Sequence, residues 1–419
     1  MTTADTHRAI DAVWRIESPR LIAGLARIVR DVGIAEDLAQ DALVAALEKW
    51  PESGIPDNPG AWLMGTAKHR AIDFFRRQAM ANRKHEDLGR DYNAREQIMP
   101  DLDRSLDDPI GDDLLRLMFI ACHPVLPKEA RLALTLRLLG GLTTDEIARA
   151  FVSTEPTIAQ RIVRAKRTLS EKRAPFEIPS GSELNRRLAS VLEVIYLIFN
   201  EGYTATAGGD WMRPSLCEEA LRLGRILAEL APNEPEVHGL VALMEIQASR
   251  SKARLGRGGE PILLMDQDRA QWDRLLIERG LSALERAQKL GQAPGPYRVQ
   301  AEIAACHARA REPKQTDWNK IVAWYDKLAE IMPSPIIELN RAVAVSMASG
   351  PEMALAIVDG LAGDPRLANY HLLPSARGDF LKKLGRVHEA RSEFERAARM
   401  TRNEQERKLL LEKAGECSL

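Results

Sequence analysis

Cysteine and aromatic residues are scarce in this chain of 419 residues: there are four cysteines, and aromatics make up 5%. Cys122, Cys217, Cys306 and Cys417 are scattered with no paired spacing. That excludes a disulfide framework and a zinc site, and it fits a reducing cytoplasm. Charge of one sign is lacking too. A net charge of −1 excludes a generic polyanion binder, so any basic surface must be local. Long apolar runs are missing as well. Val191 to Phe199 is interrupted by Glu193 and too short to span a bilayer, and Met1 to Arg15 has no signal-peptide core. A soluble, cytoplasmic protein with no membrane contact is expected. There is no nucleophile motif and no dinucleotide fingerprint. Cys122-His123 lacks nearby ligand partners and reads as packing. Asp266 and Asp268 have no His or third acid beside them. The sequence therefore argues against an enzyme, and no catalytic residue, metal or cofactor is expected.

What the chain has in abundance is Ala, Leu, Glu and Arg, the composition of an all-α protein. The clearest stretch runs from Pro127 to Arg173. Lys128 to Leu139 carries Ala130, Leu134 and Leu138 at helical spacing and ends at Gly140-Gly141. Thr143 and Glu146 form a capping box for a second helix with Ile147, Ala148 and Phe151 on its apolar stripe. After the turn Val152-Ser153-Thr154 a longer helix follows, with Thr154 as cap and Pro156 in its first turn. Its Ile158, Ile162, Ala165 and Leu169 face inward, leaving Thr157, Gln160, Arg161, Arg164, Arg167 and Thr168 outward. Amide, guanidinium and hydroxyl groups along one helix face suit major-groove reading, and two capped helices joined by a three-residue turn make a helix-turn-helix.

Three helices precede it. Ile10 to Val32 is closed by Gly33. Ala35 to Trp50 has Leu38, Ala42, Ala45 and Ala46 inward and Glu36, Asp37, Gln40 and Asp41 outward. Pro51 to Pro59 is too rich in breakers to be helical. Gly60 to Gln78 then has Leu63, Ala67 and Ala71 inward and Lys68, His69, Arg70, Arg76 and Arg77 on its polar side. Trp62 reads as packing, and Asp73 as an intrahelical partner of Arg70 and Arg76. From His85 to Asp113 the chain is polar and acidic, a linker with little core.

The run Ala35-Glu36-Asp37-Leu38-Ala39-Gln40-Asp41, the Pro-rich loop, Ala61-Trp62-Leu63 and Arg70-Ala71-Ile72-Asp73-Phe74-Phe75-Arg76-Arg77 resemble the second domain of extracytoplasmic-function sigma factors. The helix-turn-helix resembles their fourth. The resemblance implies domains at 1–84 and 114–178 with a linker at 85–113, and two partners, core RNA polymerase and promoter DNA. It implies that Asp37, Gln40 and Asp41 dock on the polymerase, and that Asn58, Lys68, His69, Arg76 and Arg77 serve the −10 element. The helix at 155–172 would read the −35 element through Glu155, Thr157, Gln160, Arg161 and Arg164. The family pattern often has Asn where this chain has His69.

Such factors normally end near residue 175, yet about 240 further residues follow a breaker-rich joint at Pro175 to Gly181. Residues 182–419 read as successive helices at roughly 183–200, 215–231, 234–249, 267–290, 296–310, 318–331, 335–349, 351–361, 366–384, 386–400 and 403–415. Paired, they make a helical-hairpin array. Gly378, Ala390, Phe394 and Ala397 stand at tetratricopeptide spacing. The whole resembles the sigma-factor subgroup with a tetratricopeptide-like extension. That implies control of activity in cis and a surface for a protein or peptide. Phe199 to Trp211 and Leu255 to Gln267 read as irregular segments, and the Gly-rich loop near Arg254 and Arg257 lacks the Walker pattern. The alternative reading is a stand-alone helix-turn-helix regulator whose repeat domain senses a ligand or peptide. It needs neither the acidic face at Asp37 nor the loop at 51–59.

Overall fold

The computed structural model describes residues 3–85, 110–151, 153–205, 211–256 and 260–417. Most of the acidic linker, Val152 of the turn, Gly208-Gly209-Asp210, and Arg257 with Gly258 and Gly259 lie outside the described residues. Among the described residues the chain is all helix, with one isolated bridge between Leu255 and Pro261. No helix there is long and apolar enough to cross a membrane. The chain forms two compact units, Met1–Val194 and Ile195–Leu419.

In the first unit, α1 (Thr3–Val29), α2 (Val32–Ser53) and α3 (Pro59–His85) pack together. Their core includes Ile10, Leu25, Leu38, Ala42, Trp50, Leu63 and Ala67. The helix expected to run to Val32 stops at Val29, because Asp31 caps α2 by accepting the Ile34 N–H at 3.0 Å. Gly33 thus lies inside α2. The breaker-rich loop is also shorter than expected. Pro51 sits in the last turn of α2, and Gly54, at φ 82°, ends the helix. α4 (Ile110–Ala121) packs on α1, where Arg27 meets Asp113 at 3.1 Å. α5 (Lys128–Leu138), α6 (Thr144–Ala150) and α7 (Glu155–Glu171) complete the helix-turn-helix, with Leu134, Leu138, Ile147, Ile158, Ile162 and Leu169 buried.

Helix α8 (Gly181–Tyr203) contains the boundary between the units. Its first half belongs to the first. Arg187 donates to the Phe119 carbonyl at 3.0 Å and Ser190 to that of Cys122 at 2.6 Å, closing the C-terminal end of α4. Lys128 and Arg131 pair with Glu193 at 3.0 and 3.2 Å. Cys122 is buried and its thiol lies 3.3 Å from the Thr135 hydroxyl, a packing role.

The second unit is an array of helices in which chain neighbours are mostly spatial neighbours: α9 (Pro214–Leu230), α10 (Pro235–Ala248), α11 (Arg274–Lys289), α12 (Pro296–Arg309), α13 (Trp318–Ile331), α14 (Pro335–Ala348), α15 (Pro351–Leu361), α16 (Leu372–Lys383), α17 (Val387–Met400) and α18 (Glu404–Glu416). Three apolar clusters follow one another along it. Trp272 joins Ile246, Leu284 and Ala305; Val299 joins Ile321, Leu328 and Ile337; Leu339 joins Val358, Leu381 and Phe394. Helix α14 contributes to two of them, which is how each hairpin buries the face its neighbour leaves open. A Cβ on Gly378 would come within 2.8 Å of the Phe394 ring, so only glycine lets α16 and α17 close on it.

Two expectations change here. Phe199 to Tyr203 continue α8 rather than begin a loop, since Gly202 serves close approach: a Cβ there would stand 2.6 Å from the Cys217 backbone nitrogen. The helix expected over 267–290 starts only at Arg274, where Asp273 accepts the Leu276 N–H at 3.2 Å. Asp268 caps a separate short turn through the Ala270 N–H at 2.9 Å.

Candidate nucleic-acid interface

The helix-turn-helix is built by its caps. Glu146 donates its N–H to the Thr143 hydroxyl at 3.2 Å and accepts the Thr143 N–H at 2.8 Å, so two orphan donors are satisfied by one pair. Glu146 also pairs with Arg15 of α1. Its partial burial opposes ionisation, but the Thr143 N–H, Arg15 and the Thr143 hydroxyl outweigh it and hold the carboxyl below its ordinary value. Thr154 starts α7, accepting the Thr157 N–H at 3.4 Å, and the two hydroxyls lie 2.7 Å apart.

On α7 the inward residues are those the spacing predicts. Glu155, Thr157, Gln160 and Arg164 are exposed, and Arg161 is half-buried. Because its hydroxyl is engaged at the cap, Thr157 presents mainly its methyl. Arg167 is tied to Glu171 at 2.6 Å. Val163, on the same helix, is 63% exposed.

On α3, His69, Arg76 and Arg77 are exposed and Lys68 is half-buried. Arg76 lies 3.8 Å from Asp73 and Arg77 donates to the Asp73 carbonyl at 3.3 Å. Both groups of that pair are exposed, so the pair holds the cations weakly. Asn58 is occupied structurally, accepting the Ala61 N–H at 3.0 Å to cap α3. Trp62 packs edge-on against buried Trp50, ring centres 5.2 Å apart.

The acidic face of α2 divides. Asp37 and Asp41 are exposed and Gln40 is half-buried. Glu36, expected outward, is instead 3% exposed and is the most heavily engaged carboxylate of the unit. It accepts from Gln40 at 2.8 Å and Arg137 at 2.7 Å, and pairs with Lys166 of α7 at 2.6 Å. Glu36 lies about 100° round the helix from Ala35, at the edge of the apolar stripe. The pattern alone leaves an edge residue's side undecided. Partial desolvation pushes the Asp37 carboxyl above its ordinary value; Lys166 opposes the rise, and Glu36, Asp41 and Asp31 add to it.

Three elements thus present separate chemistry to solvent: an acidic patch on α2, a basic face on α3, and an amide-guanidinium face on a capped α7. Such faces suit contact with DNA and with another macromolecule. Comparison with known proteins agrees. Residues 14–80 match Sigma-70 region 2, residues 116–169 match Sigma-70, region 4, and residues 187–288 match a family of unknown function (DUF6596). An uncharacterized protein of Rhizobium meliloti is 43% identical over 399 residues, 95% of this chain and 93% of its own length. The probable ECF RNA polymerase sigma factor SigI of Mycobacterium tuberculosis is 28% identical over 170 residues, 40% of this chain and 56% of its own. The ECF RNA polymerase sigma factor SigK of Mycobacterium ulcerans is 28% identical over 154 residues, 36% of this chain and 78% of its own. The class is that of sigma factors, the promoter-recognition subunits of RNA polymerase. Within it, the chain belongs to the extracytoplasmic-function (ECF) sigma factors, here with a helical C-terminal extension.

Proposed function

We propose that the first unit docks on core RNA polymerase through Asp37, Gln40 and Asp41, and that Lys68, His69, Arg76 and Arg77 hold promoter DNA at the −10 element. Asn58 takes part there through the loop it anchors rather than through its capping oxygen. Glu155, Thr157, Gln160, Arg161 and Arg164 of α7 read the −35 element. Opening a duplex needs cations beside a captured, unstacked base, and an exposed basic helix next to an irregular loop supplies them. The acidic linker connects the two DNA-reading parts, and the extension governs their availability in cis, with a protein or peptide as its partner.

One observation carries the reading: apart from Glu36, the polar faces of α2, α3 and α7 stay wholly or partly open to solvent, while the stripes Leu38-Ala42-Ala46, Leu63-Ala67-Ala71 and Ile158-Ile162-Ala165-Leu169 behind them are buried. A fold needing these residues only for stability would have no use for three separate charged faces of unlike composition. The test is co-purification of the full chain with core RNA polymerase, followed by transcription from its own promoter region. Holoenzyme that initiates supports the reading. Failure to bind core by both the full chain and residues 1–194, with DNA binding retained, would favour a stand-alone regulator. Equal promoter activity with and without residues 195–419 would remove the role in cis.

A further inference from the structure

Among the described residues, the extension gathers three arginines that no carboxylate pairs with. Arg250, Arg254 and Arg269 are 8%, 7% and 5% exposed. Aromatic rings frame them. The Arg254 guanidinium lies 3.5 Å from the centre of the Tyr203 ring and 5.9 Å from that of Trp211. Arg250 lies 5.7 Å from Tyr203 and 5.8 Å from Trp272, and Arg269 lies 5.0 Å from Trp272. Arg250 therefore stands between the other two, sharing one ring with each.

Two of the three have neutral acceptors. Arg254 donates to the Tyr203 carbonyl and, at 2.9 Å, to the Thr204 hydroxyl. Arg269 donates to the carbonyls of His307 and Ala310 at 2.9 and 2.7 Å and to the Thr316 hydroxyl at 3.0 Å. Arg250 differs. Among the described residues its guanidinium has no hydrogen bond and no ion pair; its Nε, like that of Arg269, is buried without a partner. Trp272 Nε1 and His307 Nδ1 are likewise buried and unpartnered. Three acids close in sequence are engaged with other groups: Asp268 and Asp273 cap helices, and Glu201 pairs with Arg213.

Neutral carbonyls satisfy hydrogen-bond geometry but do not cancel charge, and a ring face offsets only part of a guanidinium's desolvation. Among the described residues, no carboxylate is hydrogen-bonded or paired to any of these three arginines, and the guanidinium of one of them makes no hydrogen bond. A planar fork beside a second cation is the arrangement that grips an oxyanion. We propose that Arg250 and Arg254, walled by Tyr203 and Trp272, form a binding site for the phosphate or carboxylate group of a small soluble ligand. Arg250 supplies the bidentate fork, and Arg254 and Arg269 the surrounding positive field. The site lies almost wholly within residues 187–288, the segment matching a family of unknown function, and gives that segment a ligand class. It stands independently of the sigma reading, because its test is binding rather than transcription.

The test is thermal unfolding and titration calorimetry of the full chain with inorganic phosphate and, separately, acetate, against chloride at constant ionic strength. A saturable rise in unfolding temperature is expected. A response to phosphate alone assigns a phosphate group, a response to acetate alone a carboxylate, and a response to both the shared oxyanion chemistry. Arg250→Met should weaken binding roughly tenfold or more. In chloride it should unfold at the same or a higher temperature, since an uncompensated buried cation has been removed. Arg250→Lys keeps the charge without the fork and should fall between. No saturable response in the unaltered chain overturns the proposal, whatever the variants do. So does an unchanged response in Arg250→Met, particularly with a lowered unfolding temperature, which would make Arg250 a purely structural residue.

Discussion

The two units handle charge in opposite ways. In the first, most ionised side chains lie on the surface, and the chief buried ones, Glu36, Asp113 and Arg187, each have a partner within the same unit. In the second, charge is taken inside. Glu245 is 1% exposed and answered by Arg225 at 2.8 Å, Glu302 is buried against Gln288 and Arg309, and Arg250, Arg254 and Arg269 sit among aromatic rings. A unit that reads DNA and docks on a polymerase must offer its chemistry outward. A unit that buries cations it cannot neutralise is organised around something in its interior.

This contrast can be broken at several points. The extension should depend most on its interior packing. Phe394→Ala should cost the second unit about 3–5 kcal/mol, seen in denaturant unfolding of the full chain, and leave the first unit's transition unchanged. On the first unit the surface should matter for partners and not for folding. Asp37→Arg should cost roughly 2–5 kcal/mol of polymerase affinity in a binding assay. Asp37→Asn should leave the unfolding temperature unchanged or slightly raised, since burial and neighbouring carboxylates already disfavour the charge.

Interior charge also predicts a pH response in the second unit. Burial, then Arg250 and Arg269, push His307 down to about 3. A histidine whose folded value lies below its unfolded one leaves the native state holding fewer protons. Stability is then full above the unfolded value and falls as the pH drops toward the folded one. About 2 kcal/mol should be lost by about pH 5, and His307→Gln should flatten that slope in pH-dependent thermal unfolding.

The smaller effects separate two roles on α7. Gln160→Ala should relax preference at one base position by about 1–3 kcal/mol in competition binding. Arg164→Ala should instead weaken all sequences alike and reduce the salt slope by about 1. A uniform loss from Gln160→Ala would erase the distinction.

The helix-turn-helix was legible because its signals are local. Thr143 with Glu146, Thr154 with Pro156, and the stripe Ile158, Ile162, Ala165 and Leu169 all act within one or two turns. Gly378 and Phe394 stood out by their spacing, but that the two meet is set by how α16 and α17 pack. Glu36 was not legible, because its side of the helix is decided by Arg137 and Lys166, more than a hundred residues away. Nor was Gly202, where a glycine that reads as a break is used to let two helices touch. The arginine group was least legible of all. Tyr203, Arg250, Arg269 and His307 come together only through the tertiary fold, and in sequence each looks like an ordinary surface residue or loop residue.

The Trp50–Trp62 contact has a further use. Two indoles at 66° and 5.2 Å form a coupled chromophore pair, and the chain that joins α2 to α3 runs between the residues that carry them. Any rearrangement of that segment on meeting single-stranded DNA would alter the pair's near-ultraviolet circular dichroism and its emission. The chain thus carries its own optical reporter at the place where strand opening is expected, and no label need be attached.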